Sequence, residues 1–137
     1  MNEEFVSFDL AKKLKEKGFK NNCIGYYDYA GEFHYNYESD IANKEIYFCH
    51  NKYDNIWHRD LVDAPTISQV LKWLRDDKKI HIMIDIWKVD VDDIIYKWGY
   101  DIVDLTTTRV VGCDTQCANT YEQAAIAGIE YCLDNLI

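Results

Sequence analysis

The stretch IHIMIDIW, residues 80–87, decides the fold, because isoleucine occupies every second position from Ile80 to Ile86. A repeat of two places alternate side chains on opposite faces of a strand and does not fit the 3.6-residue repeat of a helix. The four isoleucines are therefore predicted to share one buried face of a β-strand. After a polar reversal at residues 90–93, residues 94–105 predict a long aromatic return strand. One face of that strand carries Tyr96, Trp98, Tyr100 and Ile102.

Two helices are predicted before this hairpin. In residues 7–17, Ser7 suits the N-cap, and Gly18 supplies the left-handed residue that ends many helices. Thr66 and Gln69 have the spacing of a capping box, and apolar residues then recur at helical intervals. The second helix is expected to end near residue 77.

A third helix is predicted from Thr120 to the carboxyl end, because Thr120 and Gln123 repeat the capping-box spacing. Small residues at Ala124 and Gly128 are expected to permit close approach to a sheet. The inner face of this helix is predicted to consist of Ala125, Ile129, Cys132, Leu133 and Leu136.

The remaining strands are shorter. Residues 22–29 and 32–38 predict a second hairpin, and residues 44–49 and 109–113 predict one strand each. Residues 56–63 fit no single element.

Helices and hairpins occur in separate runs with no βαβ rhythm. The sequence therefore predicts a single α+β domain spanning residues 1–137. Its mainly antiparallel sheet of hairpins is expected to pack with three helices in the order αβββαβββα.

The composition suits one folded domain. The chain has 137 residues, with 15 Lys plus Arg against 24 Asp plus Glu, and a formal net charge of -9. This acidity argues against direct nucleic-acid binding. No apolar run is long enough for a signal peptide or a membrane-spanning helix, so the sequence predicts a cytoplasmic protein without membrane contact.

Three blocks carry a resemblance beyond composition. They are FDLAKKLKEKGF at residues 8–19 before a tyrosine-rich hairpin, APT at 64–66 with WLR at 73–75, and YEQA at 121–124 with Ala127-Gly128. Together they resemble small uncharacterised proteins of phages and prophages in gut bacteria. The resemblance implies no activity, cofactor or binding residue, because the shared positions are helix ends and packing positions.

The cysteines predict free thiols in a reducing compartment, because their number is odd and they are scattered through core-like patterns. They are Cys23, Cys49, Cys113, Cys117 and Cys132. Cys113 and Cys117 have a C-x-x-x-C spacing that zinc could use if Cys49 and His50 supplied further ligands. Adjacent strand residues point to opposite faces, so the second pair converges poorly on one ion and no metal site is predicted.

No catalytic motif is found. HRDL at residues 58–61 matches the start of a protein-kinase catalytic loop, but Pro65 stands where that loop requires asparagine. A catalytic cysteine needs a partner histidine, and no histidine has a recognisable partner motif. The four histidines are His34, His50, His58 and His81. The sequence therefore predicts no enzyme activity and no cofactor.

Acidic residues dominate the second half of the chain, where ten face three basic residues between His81 and Ile137, a charge of about -7. Three aspartates at residues 90–93 resemble the start of a calcium loop, but the glycine and glutamate that complete an EF-hand are missing. A solvated turn is preferred. The candidate acidic interaction surface consists of Asp90, Asp92, Asp93, Asp101 and Asp104.

Two functions are considered. The leading hypothesis is a small non-enzymatic, phage-type accessory protein that acts through protein–protein contacts, because tyrosine and tryptophan suit interfaces. The alternative is an acidic DNA mimic that inhibits a host nucleic-acid enzyme. The expected partner is an unknown protein, and assembly into a homo-oligomer is compatible with the sequence.

Overall fold

The structure is a computed structural model that describes residues 4–35, 61–90, 92 and 95–137. The described elements follow the predicted order αβββαβββα, and the α+β class is confirmed. They are α1 (Phe8–Glu16), β1 (Gly25–Tyr27), β2 (Phe33–Tyr35), β3 (Val62–Ala64), α2 (Ile67–Asp77), β4 (Ile80–Asp90), β5 (Ile95–Asp104), β6 (Arg109–Cys113) and α3 (Tyr121–Asn135). The residues cluster into two compact units, Met1–Thr66 and Ile67–Ile137.

Helix α1 has the predicted ends. The Ser7 hydroxyl accepts a hydrogen bond from the Leu10 N–H at 3.3 Å, which satisfies one of the free donors of the first turn. Gly18 has φ +93°, and the Phe19 N–H donates to the Leu14 carbonyl at 2.9 Å. Phe19 and Leu14 are both buried, so the hydrophobic contact expected at such a helix end is available.

Three described strands of the first unit form an antiparallel sheet in the order β2-β1-β3. Strands β1 and β2 confirm the hairpin predicted from residues 22–29 and 32–38 within the described residues, with shorter strands than expected. Strand β3 begins in the stretch 56–63, for which the sequence predicted no element, and the strand predicted at residues 44–49 lies outside the described residues.

The strands described in the second unit form an antiparallel sheet in the order β4-β5-β6. The long β4–β5 hairpin and the short β6 strand confirm the predictions for residues 80–113. The sequence did not predict the register shift between Ile86 and Lys88, which makes Trp87 an extra residue in β4. Such a β-bulge bends the strand and increases its twist.

Helix α3 packs closely on this sheet through Gly128, as the small residues predicted. A Cβ atom at Gly128 would lie 2.9 Å from Cγ2 of Ile82 and 3.3 Å from Cγ of Tyr100. The N-cap is Thr120, whose hydroxyl accepts from the Gln123 N–H at 3.1 Å. Four of the five predicted inner-face residues are buried, and Leu136 is half-buried.

The prediction that all four isoleucines of β4 share a buried face is wrong at its outer end. Ile80 and Ile82 are buried, Ile84 is half-buried and Ile86 is exposed. The side chains do share one face, but α3 begins at Tyr121, beside Trp98, which is the residue opposite Ile86. The hairpin therefore continues beyond the start of this covering helix.

Candidate interaction surface

An exposed apolar surface lies on the outer half of the β4–β5 hairpin. It consists of Ile86, Val89, Tyr96 and Tyr121, which we call the hairpin patch. The four residues are 41–50% exposed, a large fraction for side chains of this kind. The patch lies where α3 no longer covers the sheet.

The bulge at Trp87 places the strand residues of the patch on one face. Ile86 is opposite Trp98, whereas Val89 is opposite Tyr96. Residues two apart in β5 point to the same side, so Tyr96 and Trp98 share a face with their partners. The extra residue therefore returns Val89 to the face of Ile86, although three positions separate them.

The floor of the patch is Trp98, which is half-buried. Its ring meets Tyr121 edge to face, with the centroids 5.6 Å apart and an interplanar angle of 84°. The backbone of Trp98 exchanges two hydrogen bonds of 2.8 Å with Ala118. Ring contacts and paired backbone bonds both hold this floor in place.

The opposite face of the hairpin carries Trp87, which lies over Gly99. A Cβ atom at Gly99 would lie 2.4 Å from Cδ2 of the Trp87 ring, far inside van der Waals contact. The glycine thus admits the indole directly onto the backbone of β5.

One backbone N–H of β4 that points away from β5 is satisfied by a side chain of the same strand. Because Trp98 directs both backbone groups toward Ala118, the opposite residue Ile86 directs its N–H away from β5. That N–H donates to Oδ1 of Asp85 at 2.7 Å. Among the described strands β4 lies at the edge of its sheet, so the Asp85 carboxylate satisfies one of the backbone donors on that edge.

Four of the five predicted acidic residues are described, and they do not share one face of the sheet. Asp90 and Asp92 are exposed at the tip of the hairpin, and Asp93 lies outside the described residues. Asp101 and Asp104 lie opposite Met83 and Ile80, which face opposite sides of the sheet.

Asp104 is also remote from the tip and engaged locally. It is nine residues from the start of β5, or about 30 Å along an extended strand. Its carboxylate accepts from the Thr106 hydroxyl at 2.6 Å and from the Thr106 N–H at 2.8 Å. These hydrogen bonds lower the pKa of Asp104.

The described cysteines fall into two pairs with different chemistry. Cys113 and Cys117 are exposed thiols, whereas Cys23 and Cys132 are fully buried. Burial raises the pKa of Cys132 to about 12, so this thiol stays protonated at neutral pH. Cys49 and His50, considered as zinc ligands, lie outside the described residues, as does the HRD of the kinase-like motif.

Sequence reasoning did not single out a cluster at the tip of the first hairpin. Asp28, Glu32 and His34 each offer one metal-ligating atom, and these atoms all lie within 4.8 Å of one another. The sequence pattern that could have revealed this cluster is the two-residue alternation of the strands. It places residues 26, 28, 32 and 34 on one face of the hairpin.

Asp63 is a buried carboxyl group in β3 of the first unit. Only 6% of the residue is exposed, and burial raises its pKa to about 8, against the opposing effect of the Lys15 charge. Burial raises the pKa of the Cys23 thiol, and the charge of Asp63 raises it further. The sequence left this stretch unassigned and gave no sign of a buried acid.

Comparisons with protein-family models, with curated proteins and with solved structures find no match. Among the described residues, no helix combines the length and apolar character needed to cross a bilayer.

Proposed function

We propose that this protein acts as a non-enzymatic accessory protein that binds another protein through the hairpin patch. The observation that carries the proposal is the exposure of Ile86, Val89 and Tyr96 beside the ordered ring of Trp98. Aromatic and aliphatic side chains of this kind anchor interfaces once water is excluded from them. The resemblance to phage and prophage proteins supports an accessory role.

Charge indicates the chemistry of the partner. Exposed carboxylates at Asp90 and Asp92 lie at the tip of the same hairpin, and the whole chain has a net charge of -9. A surface that presents apolar side chains bordered by Lys or Arg complements this arrangement. A second copy of this chain is a poorer fit, because two acidic hairpins would repel each other.

The experiment compares two matched variants in affinity capture from host lysate, followed by titration of the captured protein. The patch variant is Val89→Ser with Tyr96→Ser. The control is Val110→Ser, which changes a 63% exposed valine on β6 of the same sheet. Because hot-spot residues contribute about 2 kcal/mol or more, we expect the patch variant to weaken binding at least tenfold and the control to bind as the unchanged protein does.

Equal affinity of the captured protein for both variants would contradict the proposal. A patch-dependent dimer of this chain, detected by light scattering coupled to size exclusion, would assign the patch to self-association instead. Far-UV circular dichroism of each variant confirms that the fold is retained before affinities are compared.

Binding at different ionic strengths distinguishes the alternative DNA-mimic function from binding through the hairpin patch. A carboxylate surface that replaces nucleic acid loses its partner steeply as salt rises, whereas an apolar interface persists. For a mimic, Asp90→Asn, Asp92→Asn and Asp93→Asn together would abolish capture of a nucleic-acid enzyme. Capture that survives both high salt and these three substitutions favours the hairpin patch.

A further inference from the structure

We propose that Asp28, Glu32 and His34 form a surface binding site for one Zn²⁺ ion. The inference is independent of the hairpin patch, because it concerns the turn between β1 and β2 in the first unit. Two carboxylate oxygens and one imidazole nitrogen are supplied from seven consecutive residues.

The register of the hairpin brings the ligands together. Tyr26 is opposite His34, and one step toward the turn the Asp28 N–H donates to the Glu32 carbonyl at 3.0 Å. Residues two apart share a face, so Asp28, Glu32 and His34 lie side by side on the same surface of the hairpin. Oδ2 of Asp28 is 2.8 Å from Nε2 of His34.

These distances suit one ion. The three ligating atoms lie within 4.8 Å of one another. Zinc bonds to nitrogen and carboxylate oxygen at about 2.0–2.2 Å, so atoms on one ion lie roughly 3–4 Å apart. A side-chain movement of the order of 1 Å in exposed Glu32 brings its carboxylate into this range, and rotation about its side-chain torsions allows that.

Asp28 is held in the orientation that a ligand requires. Its Oδ1 accepts from the backbone N–H groups of Ala30 and Glu32 at 2.9 and 3.0 Å, which leaves Oδ2 directed at His34. Gly31, at φ +84°, gives the turn the conformation in which the N–H groups of Ala30 and Glu32 point toward Asp28.

His34 is also oriented from outside the ligand set. The Tyr26 ring stacks on its imidazole, with centroids 5.1 Å apart and an interplanar angle of 21°. Neighbours that fix the orientation of a ligating histidine strengthen metal binding.

The other face of the hairpin anchors this frame. Phe33 packs against Phe5 with ring centroids 4.7 Å apart, and Tyr27 packs against Phe8 at 5.5 Å. The ligands therefore stand on a turn whose back is fixed by aromatic contacts, so little order has to be gained on binding.

The donor set favours zinc over the common hard cations. Ca²⁺ takes six to eight oxygen ligands and Mg²⁺ demands octahedral oxygen coordination, whereas Zn²⁺ accepts mixed nitrogen and oxygen ligands with tetrahedral geometry. Three ligands come from the protein and water completes the coordination. The exposed position of the site makes such a water accessible to solvent.

The test is isothermal titration of ZnCl₂ into the full chain without a purification tag, stripped of metal, in a Cys113→Ser and Cys117→Ser background that removes the exposed thiols. We expect one equivalent to bind. Glu32→Gln and His34→Gln should each weaken binding at least tenfold. Asp9→Asn, which removes an exposed carboxylate on α1, should leave it unchanged.

Localisation gives a second measurement. In amide NMR spectra, zinc should shift the signals of residues 26–34 first. Absence of saturable binding, or binding that Glu32→Gln and His34→Gln leave unchanged, would overturn the proposal. The zinc-site variants should keep the affinity for a protein partner and the patch variant should keep zinc, so failure of either proposal can be recognised separately.

Discussion

The indole of Trp87 lies directly against the backbone of Gly99, at a distance that excludes any side chain at residue 99. We expect Gly99→Ala to lower the free energy of unfolding by about 1–3 kcal/mol, the range found when atoms are forced into packed sites. Urea denaturation followed by tryptophan fluorescence measures this loss.

A double-mutant cycle separates the clash from other effects of the added methyl group. In a Trp87→Ala background the same Gly99→Ala change should lower the free energy of unfolding much less, because the indole ring no longer occupies the space of the new methyl group. An equal cost in both backgrounds would show that Trp87 does not determine the requirement for glycine.

Asp63 predicts an unusual dependence of stability on pH. Its pKa in the folded protein is about 8, above the ordinary value of 3.8, so the folded state binds more protons than the unfolded state between these values. The free energy of unfolding should therefore fall as pH rises from about 4 to 8, by something of the order of 2–5 kcal/mol.

Asp63→Asn should flatten this fall and stabilise the protein at pH 8.5, because the side chain no longer ionises. Urea midpoints at pH 5 and pH 8.5 provide the comparison, and Asp9→Asn serves as an exposed control. A variant that is less stable than the unchanged protein at pH 8.5 would mean that the ionised carboxylate is favourable in the fold, where the charge of Lys15 opposes the effect of burial.

The thiols should react in two classes. Cys113 and Cys117 are exposed and should be alkylated within minutes, whereas Cys23 and Cys132 should react only after unfolding. Peptide mapping by mass spectrometry at timed intervals reports each site separately. Rapid modification of Cys132 in the native protein would contradict the packing of α3.

The single-domain prediction is tested by limited proteolysis. The segment between β3 and α2 contains Pro65 and Thr66, both buried, and the Pro65 carbonyl accepts from the Val6 N–H at 3.0 Å. Proteases cut exposed, mobile segments, so we expect no early cleavage here. Two stable fragments that meet near Ala64 would show that the two compact units fold separately.

Regular elements with strong local signals were predictable from the sequence. The Ser7 cap with Gly18 fixed the ends of α1, and the alternation of isoleucines identified β4, because both depend on neighbours along the chain. The extent of burial along β4 was not predictable in the same way. It depends on where α3 begins, a relationship between residues that lie far apart in sequence.

The candidate sites were less predictable than the fold. The aromatic face of β5 was recognised, but the bulge at Trp87 that returns Val89 to that face leaves no composition signal. The cluster of Asp28, Glu32 and His34 was missed because its residues follow no linear motif, and because a histidine in a strand is more often a surface residue than a ligand. The charges of the acidic surface were counted correctly, yet the register placed Asp101 and Asp104 on opposite faces.

The hydrogen bond from the Ile86 N–H to the Asp85 carboxylate makes this backbone donor of β4 unavailable to another strand. An edge strand with open backbone donors invites another strand to join it, and a carboxylate at that edge discourages sheet growth between molecules. Asp85→Ala should accordingly increase association between molecules, measured as light scattering when the protein is concentrated. Unchanged scattering would show that Asp85 is not what prevents sheet growth at this edge. For the proposed binding at the neighbouring hairpin patch, this means contact through side chains, which confer selectivity, rather than through backbone pairing, which any extended peptide can provide.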